Sequence, residues 1–250
     1  RLSAEPLNAL RVSLELPLDP DLARWHRHGY LTTRPAALAN PSDPPPSTSV
    51  PLRPVALDDI ASGEPAWLRT RPPGRHRVAV TLGTMLPGRT DALVGILDGL
   101  GLLDIEVVAT VGQELDPAAL GDRGPSVHVE RWLPMSRLLA TADALVFHAG
   151  SGTMLAALAA GVPLVLLPVA ADQPENADRC AATGVGIPLP PDARGPDEVA
   201  RATRAVLEDP RYRAAAARVA AEIASMPEPA ELLPRLEALA AAGTDGLLSA

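Results

Sequence analysis

His148, Gly150, Ser151, Gly152 and Thr153 follow an apolar run of Leu145, Val146 and Phe147 and precede an alanine-rich helical stretch. A buried strand that turns through glycines into a helix points several backbone N–H groups and the positive end of the helix dipole in one direction. That is an anion site. Gly150 and Gly152 allow the backbone to approach a phosphate, Ser151 and Thr153 add hydroxyl donors, and His148 offers a ring N–H from the strand end. The plain alternative is a tight turn with only a structural role. Asp172 and Gln173 lie at a second strand end, after Pro168 and before Glu175 and Asn176. From a neighbouring loop they would project into the same crevice, where a carboxylate and an amide accept from and donate to sugar hydroxyls. The plain alternative for Asp172 is a helix N-cap.

These residues need a scaffold, and the sequence supplies one from Arg77 onward. Short apolar runs at 78–82, 105–109, 127–129, 144–147, 164–167 and 185–188 alternate with helical patterns at 91–100, 135–141, 153–160 and 175–183. Alternation of this kind predicts an α/β domain with a doubly wound parallel sheet, whose ligands sit at the carboxyl ends of the strands. Three further helices are expected at 196–207, 210–225 and 228–242. The first seventy or so residues are irregular, with a helical stretch near 7–14 and a strand-like 30–33. Residues 40–54 contain six prolines, which makes a stiff extended linker.

Composition narrows the ligand classes. All 22 basic residues are arginine, and against 30 acids they leave a net charge of −8. That balance repels a polyanion, so no nucleic-acid partner is expected and any phosphate must be held locally. The longest apolar stretch, near 155–171, is broken by Gly161, Pro163 and Pro168, so no membrane span is expected. A lone cysteine, Cys180, reads as a small core residue and fits a cytoplasmic protein. No clustered metal-ligand spacing occurs, and neither a metal nor a cofactor is expected.

Read together, Trp132, Pro134, His148 with Gly150-Ser151-Gly152-Thr153, Gly161-Val162-Pro163, Pro168, Asp172-Gln173 and Asn176-Ala177 form one ordered pattern. The pattern resembles the donor-binding signature of the family 1 glycosyltransferases of GT-B fold, especially bacterial enzymes that glycosylate natural products. Weaker similarity extends back to Thr81, Leu82, Gly83 and Thr84. The resemblance implies that His148, Gly150, Ser151, Gly152 and Thr153 hold the diphosphate of a nucleotide sugar, with Thr84 near the phosphates. It implies that Trp132 and Leu133 hold the base, and that Asp172 and Gln173 bind the transferred sugar. For Trp132 a core position is the plain alternative. Met135 and Ala156 depart from the family pattern, where many relatives have Gln and Glu. Ala156 removes a carboxylate for the ribose, and both changes are familiar among transferases that use thymidine diphosphate (TDP) sugars.

The implied activity is transfer of a sugar from a TDP or uridine diphosphate (UDP) sugar to a hydroxyl of a small-molecule acceptor, such as a polyketide. The family's catalytic base is a histidine early in the N-terminal domain. Nothing before Arg77 resembles that context, so no catalytic residue is assigned in this chain. His26 and His28 lack the glycine-rich strand-to-helix setting and read as surface residues, and His76 and His128 are likewise weak candidates. The expected organisation is a remnant of the acceptor domain at 1–39, a proline-rich interdomain linker at 40–76 and the donor-binding domain at 77–250. Two readings stay open. One is a glycosyltransferase whose acceptor domain lies upstream; the other is a nucleotide-sugar-binding subunit, inert without an acceptor-domain or accessory partner. A GT-B epimerase is a third, and it lacks locatable acid and base carboxylates.

Overall fold

The computed structural model describes residues 4–55, 65–71, 73–83 and 90–241. The chain separates into two compact units, one of Arg1–Pro35, Ala39–Arg53 and Met226–Ala250, the other of Ala36–Leu38 and Pro54–Ser225.

The larger unit is a six-stranded, wholly parallel sheet. The smaller unit contributes α1 (Ala4–Ser13), α2 (Ala23–His26), β1 (Tyr30–Thr32) and β2 (Ser49–Pro51) before it. The sheet strands are β3 (His76–Thr81), β4 (Ile105–Thr110), β5 (Val127–Glu130), β6 (Ala144–Phe147), β7 (Leu164–Leu166) and β8 (Gly186–Pro188). Between and after them run α3 (Thr90–Leu100), α4 (Met135–Leu139), α5 (Ser151–Ala159), α6 (Gln173–Thr183), α7 (Pro196–Glu208) and α8 (Pro210–Ser225). The order across the sheet is β5-β4-β3-β6-β7-β8. The expected strands and helices of this unit are all present, with ends within two residues of the sequence reading.

Each element forms for a local reason. β6 is apolar at every position and buried on both faces, as a central parallel strand must be. In α3 the buried Leu93, Ile96, Leu97 and Leu100 recur at the spacing of one helix face. Val199, Ala202, Thr203 and Val206 repeat that pattern in α7, which packs against α3. These two helices close one core with Val78, Val80, Val107, Ala109, Val146 and Val165. The alternate strand residues face the other way, and α5 packs against α8. α6 stops at Gly184, whose φ of 76° places it in the left-handed region that ends helices.

One buried charge is out of keeping with the apolar strands. Arg77 is fully buried in β3, and its Nε donates to Glu106 Oε2 of β4 at 2.6 Å. Its two Nη groups donate to the carbonyls of Leu68 and Thr70 at 2.8 and 2.7 Å, fastening the 3-10 turn Ala66–Arg69 to the sheet. On the same turn Trp67 stacks on His128 of β5, with ring centroids 4.0 Å apart. His128 therefore serves the scaffold.

In the smaller unit β1 pairs in parallel with β2, so the proline-rich segment supplies a strand as well as a connection. Four of its prolines precede the strand, Pro51 sits at its end and Pro54 lies beyond it, where no ladder N–H is needed. The last helix, α9 (Pro229–Ala241), groups with this unit and not with the sheet it follows in sequence. Arg53 joins it there, donating through its Nε to the Met226 carbonyl and pairing with Glu228 at 2.8 Å. Among the described residues no helix is long and apolar enough to cross a membrane.

Arg77→Met should destabilise the larger unit by about 3–5 kcal/mol in urea denaturation, because it takes the guanidinium from the buried Glu106 carboxylate and leaves only His128 Nε2, at 3.4 Å, beside it. Pairing it with Glu106→Leu should recover most of that loss. A single variant as stable as the parent would show that the pair does not fasten the turn.

Candidate functional site

The strand order reverses between β3 and β6, which lie side by side although β4 and β5 separate them in sequence. Crossovers leave in opposite directions from these two strands, so a crevice opens at their carboxyl ends. Thr81 pairs with Phe147 at that end. The next residues, Leu82 and Gly83 on one side and His148 on the other, therefore wall the crevice.

The His148 ring fits a slot between two glycines. A Cβ built on Gly83 would lie 2.6 Å from His148 Cε1, and one built on Gly150 would collide with His148 Nε2. Gly83 also needs its φ of 71°. Gly150 has φ of −67°, open to any residue, so its lack of a side chain makes room for His148. This packing role is additional to the phosphate approach expected of Gly150. Gly152 fits that approach better. It stands in the first turn of α5 with nothing within 4 Å of its would-be Cβ, so the protein's own packing does not demand a glycine there. Placing one in a helix costs about 0.8–1 kcal/mol relative to alanine.

His148 is only 7% exposed, and its Nδ1 is shut off from solvent. Burial pushes its pKa below the ordinary histidine value, because desolvation penalises the charged ring. The Thr81 backbone and the Asp172 carboxylate oppose that shift less strongly. The ring is thus neutral at neutral pH.

α5 begins at Ser151 without a side-chain cap. The amides of Ser151, Gly152 and Thr153 have no intrahelical carbonyl to bond, and the positive end of the dipole lies with them. Met154 is the first to bond back, its N–H donating to the Gly150 carbonyl at 2.9 Å. Three aligned amides beside a buried imidazole make a cradle for an anion.

The Asp172 loop meets this turn. The Ser151 hydroxyl donates to Asp172 Oδ2 at 2.5 Å, so it is engaged by the protein and does not simply face the crevice as expected. Asp172 occupies the N-cap position of α6, yet its side chain caps nothing. Gln173 is 8% exposed, and its Oε1 accepts from the N–H groups of Val169 and Ala170 at 2.8 and 3.1 Å. The acceptor half of its amide is therefore spent on shaping the loop. Asn176, one turn into α6, is fully buried and bonds to Ala149, Ser151 and Asp172. The two loops it joins each hold a non-glycine residue at positive φ, Ala149 at 67° and Ala171 at 56°. Such a conformation costs an L-residue about 1–2 kcal/mol.

Trp132 and Leu133 follow β5. Leu133 is buried, whereas Trp132 is 40% exposed, which excludes the core position considered for it. Met135 opens α4 and Ala156 is half-buried on α5. Thr84 lies outside the described residues. His26 contacts Thr48, and exposed His76 pairs with Asp143 at 3.3 Å. Cys180 is buried with its Sγ 3.5 Å from Met154 Sδ, the core role expected of it. The sequence reading passed over two residues: Gly83 as a wall for His148 and Asn176 as the join between loops. The signal for Asn176 was its place on the apolar face of α6, with Ala177 and Cys180.

The family described as "Erythromycin biosynthesis protein CIII-like, C-terminal domain" matches residues 94–239, more than half of the chain. The chain belongs to this family. It is 38% identical over 186 residues to the L-demethylnoviosyl transferase of Streptomyces niveus, a match that covers 73% of this chain and 48% of that protein. The chain thus spans about half the length of that relative. Its structure resembles that of the glycosyltransferase SnogD from Streptomyces nogalater, with TM-score 0.73 and 36% identity over 85% of this chain and 57% of that one. A spinosyn rhamnosyltransferase complexed with thymidine diphosphate matches with TM-score 0.73 and 31% identity, over 83% of this chain and 56% of that one. The fold of the larger unit is that of the C-terminal domain of GT-B glycosyltransferases.

Two outcomes are expected of the His148 slot. In NMR titration the His148 ring should titrate below about 6.5. Above that pH both folded and unfolded chains are neutral at this residue, and below it only the unfolded chain takes up the proton. The contribution of His148 to stability should therefore decline as pH falls from about 6.5 towards the lowered folded value, and His148→Asn should remove that decline. Gly150→Ala should displace the ring and raise its titration midpoint, while Gly152→Ala should not move it. An unshifted midpoint in Gly150→Ala would show that the slot is not tight.

Proposed function

We propose that this chain is the donor-binding half of a glycosyltransferase that moves a sugar from a TDP or UDP sugar to a hydroxyl of a small-molecule natural product. The observation that carries this reading is the uncapped start of α5 set beside the His148 ring, at the crevice where the strand order reverses. A diphosphate would supply the acceptors that the first amides of α5 lack. As the acceptor oxygen attacks and the bond to the diphosphate breaks, negative charge grows on the leaving group. The amides of Gly150, Ser151, Gly152 and Thr153 and the His148 N–H would stabilise it without reorganising. Exposed Trp132 and buried Leu133 would hold the base, and Asp172 and Gln173 the sugar, Gln173 through its amide nitrogen. The similarity to a spinosyn rhamnosyltransferase complexed with thymidine diphosphate supports thymidine as the base here. Ala156, which places no carboxylate on that face of α5, points the same way.

No residue of this chain is assigned the deprotonation of the acceptor. Residues 1–39 are read as the remnant of an acceptor domain and 40–76 as the connection to the donor half, a reading that the exposed apolar side chains near the start of the chain support. α1 buries none of its residues, and Leu10, Val12, Leu14, Leu16, Leu18 and Trp25 are exposed. β1 and β2 form a sheet of two strands, too few for independent stability. On the same observations a second reading remains: a nucleotide-sugar-binding subunit that works only with a separate acceptor-domain partner. A cytoplasmic location goes with either, and the buried free thiol of Cys180 is compatible with it.

Calorimetry with TDP and UDP tests the site directly. TDP should bind, and more tightly than UDP. His148→Ala should weaken it about 10- to 100-fold, the worth of a hydrogen bond to a charged group. If neither diphosphate binds, or His148→Ala binds as well as the parent, the donor-site reading falls.

A further inference from the structure

We infer that Asn176 is a positioning residue that sets the shape of the diphosphate cradle and couples it to the sugar-side carboxylate. The inference rests on the donor-site reading for its function but on geometry for its mechanism. The Asn176 Nδ2 donates to the Ala149 carbonyl at 2.9 Å, to Ser151 Oγ at 3.0 Å and to Asp172 Oδ2 at 2.9 Å. Its two protons are shared among three acceptors drawn from both loops. The residue is fully buried, and Ala177 and Cys180 seal the same face of α6, Cys180 against Met154 of α5. Asn176 is thus held by helix packing and holds the loops in turn.

Its bond to the Ala149 carbonyl has a specific load. Ala149 is in the left-handed region at φ 67° with no polar side chain to compensate. Strain of that kind persists only where the surroundings over-determine it. The turn it forces is what directs the amides of Ser151, Gly152 and Thr153 together. The bond to Ser151 Oγ fills that oxygen's acceptor side and leaves its proton for Asp172 Oδ2. When a phosphate oxygen enters, the Ser151 proton can swing to it while Asn176 keeps its own bond to Asp172. Asp172 Oδ2, relieved of the Ser151 proton and still held by Asn176, can then accept from a sugar hydroxyl. Asn176 therefore links the arrival of the diphosphate to the readiness of Asp172.

The test compares Asn176→Ala, Asn176→Asp and Asn176→Ala combined with Ala149→Gly, by TDP calorimetry and thermal melting. Asn176→Ala should weaken TDP at least tenfold and lower the melting temperature. Asn176→Asp, which keeps the shape but replaces the donor with a carboxylate facing Asp172, should weaken it more. Glycine at 149 abolishes the strain that Asn176 restrains. It should recover at least threefold of the lost affinity in the Asn176→Ala background, beyond any effect it has alone. A residue that merely packs would not be rescued in this way. TDP affinity within twofold of the parent in Asn176→Ala, or no recovery with Ala149→Gly, overturns the inference. Should Asn176→Ala fail to fold, Asn176→Ser, which keeps one donor, carries the same comparison. If the parent binds no diphosphate, the donor reading fails separately and melting alone decides the clamp. Ala149→Gly must then raise the melting temperature more in the Asn176→Ala background than in the parent, and equal shifts overturn it.

Discussion

At the end of β6 the His148 imidazole occupies a slot with no room for a side chain on either wall, Gly83 closing it from β3 and Gly150 from the start of α5. That fit depends on β3 and β6 lying side by side, which the sheet order provides. It depends also on the turn after His148 folding back sharply, which Ala149 achieves at positive φ. With the ring so placed, one nitrogen is cut off from solvent and the start of α5 comes alongside. A neutral, oriented ring and three helix amides are then gathered at one point, beside the Asp172 carboxylate.

The means of holding the crevice change with distance from it. Far from the site the sheet is secured by apolar packing of α3 and α7 on its strands, and by one buried ion pair, Arg77 with Glu106, that fastens the Ala66–Arg69 turn. Near the site polar bonds take over. Gln173 ties down the backbone of Val169 and Ala170, and Asn176 joins the Ala149 turn to Asp172. Hydrophobic packing is non-directional and tolerates small displacements, whereas a hydrogen bond fixes an angle. A site that must present amides and a carboxylate to one ligand needs the second kind of restraint close by. The strained Ala149 and Ala171 are where that restraint acts against the backbone's own preference.

Several site residues thus answer to each other before any ligand arrives. Ser151 donates to Asp172, and Asp172 also receives Asn176. Gln173 spends its carbonyl inside the protein. Residues that look like independent ligand contacts when read along the chain are one network in space. The exposed Trp132 is the exception, standing apart from that network after β5.

Periodicity and composition by themselves determined the alternation of strands and helices, the doubly wound sheet and the strand-to-helix turn at His148. A parallel strand buried on both faces and a helix buried on one each leave a pattern in the chain. The ordered motif of Trp132, His148, Asp172 and Gln173 carried the family. Only the tertiary structure decided that Gly150 makes room for a ring, that Ser151 is already bonded, that Asn176 joins two loops and that α9 leaves the sheet for the smaller unit. The physical reason is common to all four. Each depends on contacts between residues remote in the chain or on the φ of a single turn, and neither leaves a period in the sequence. A buried asparagine differs from an exposed one only in what lies around it, and packing alone settles that.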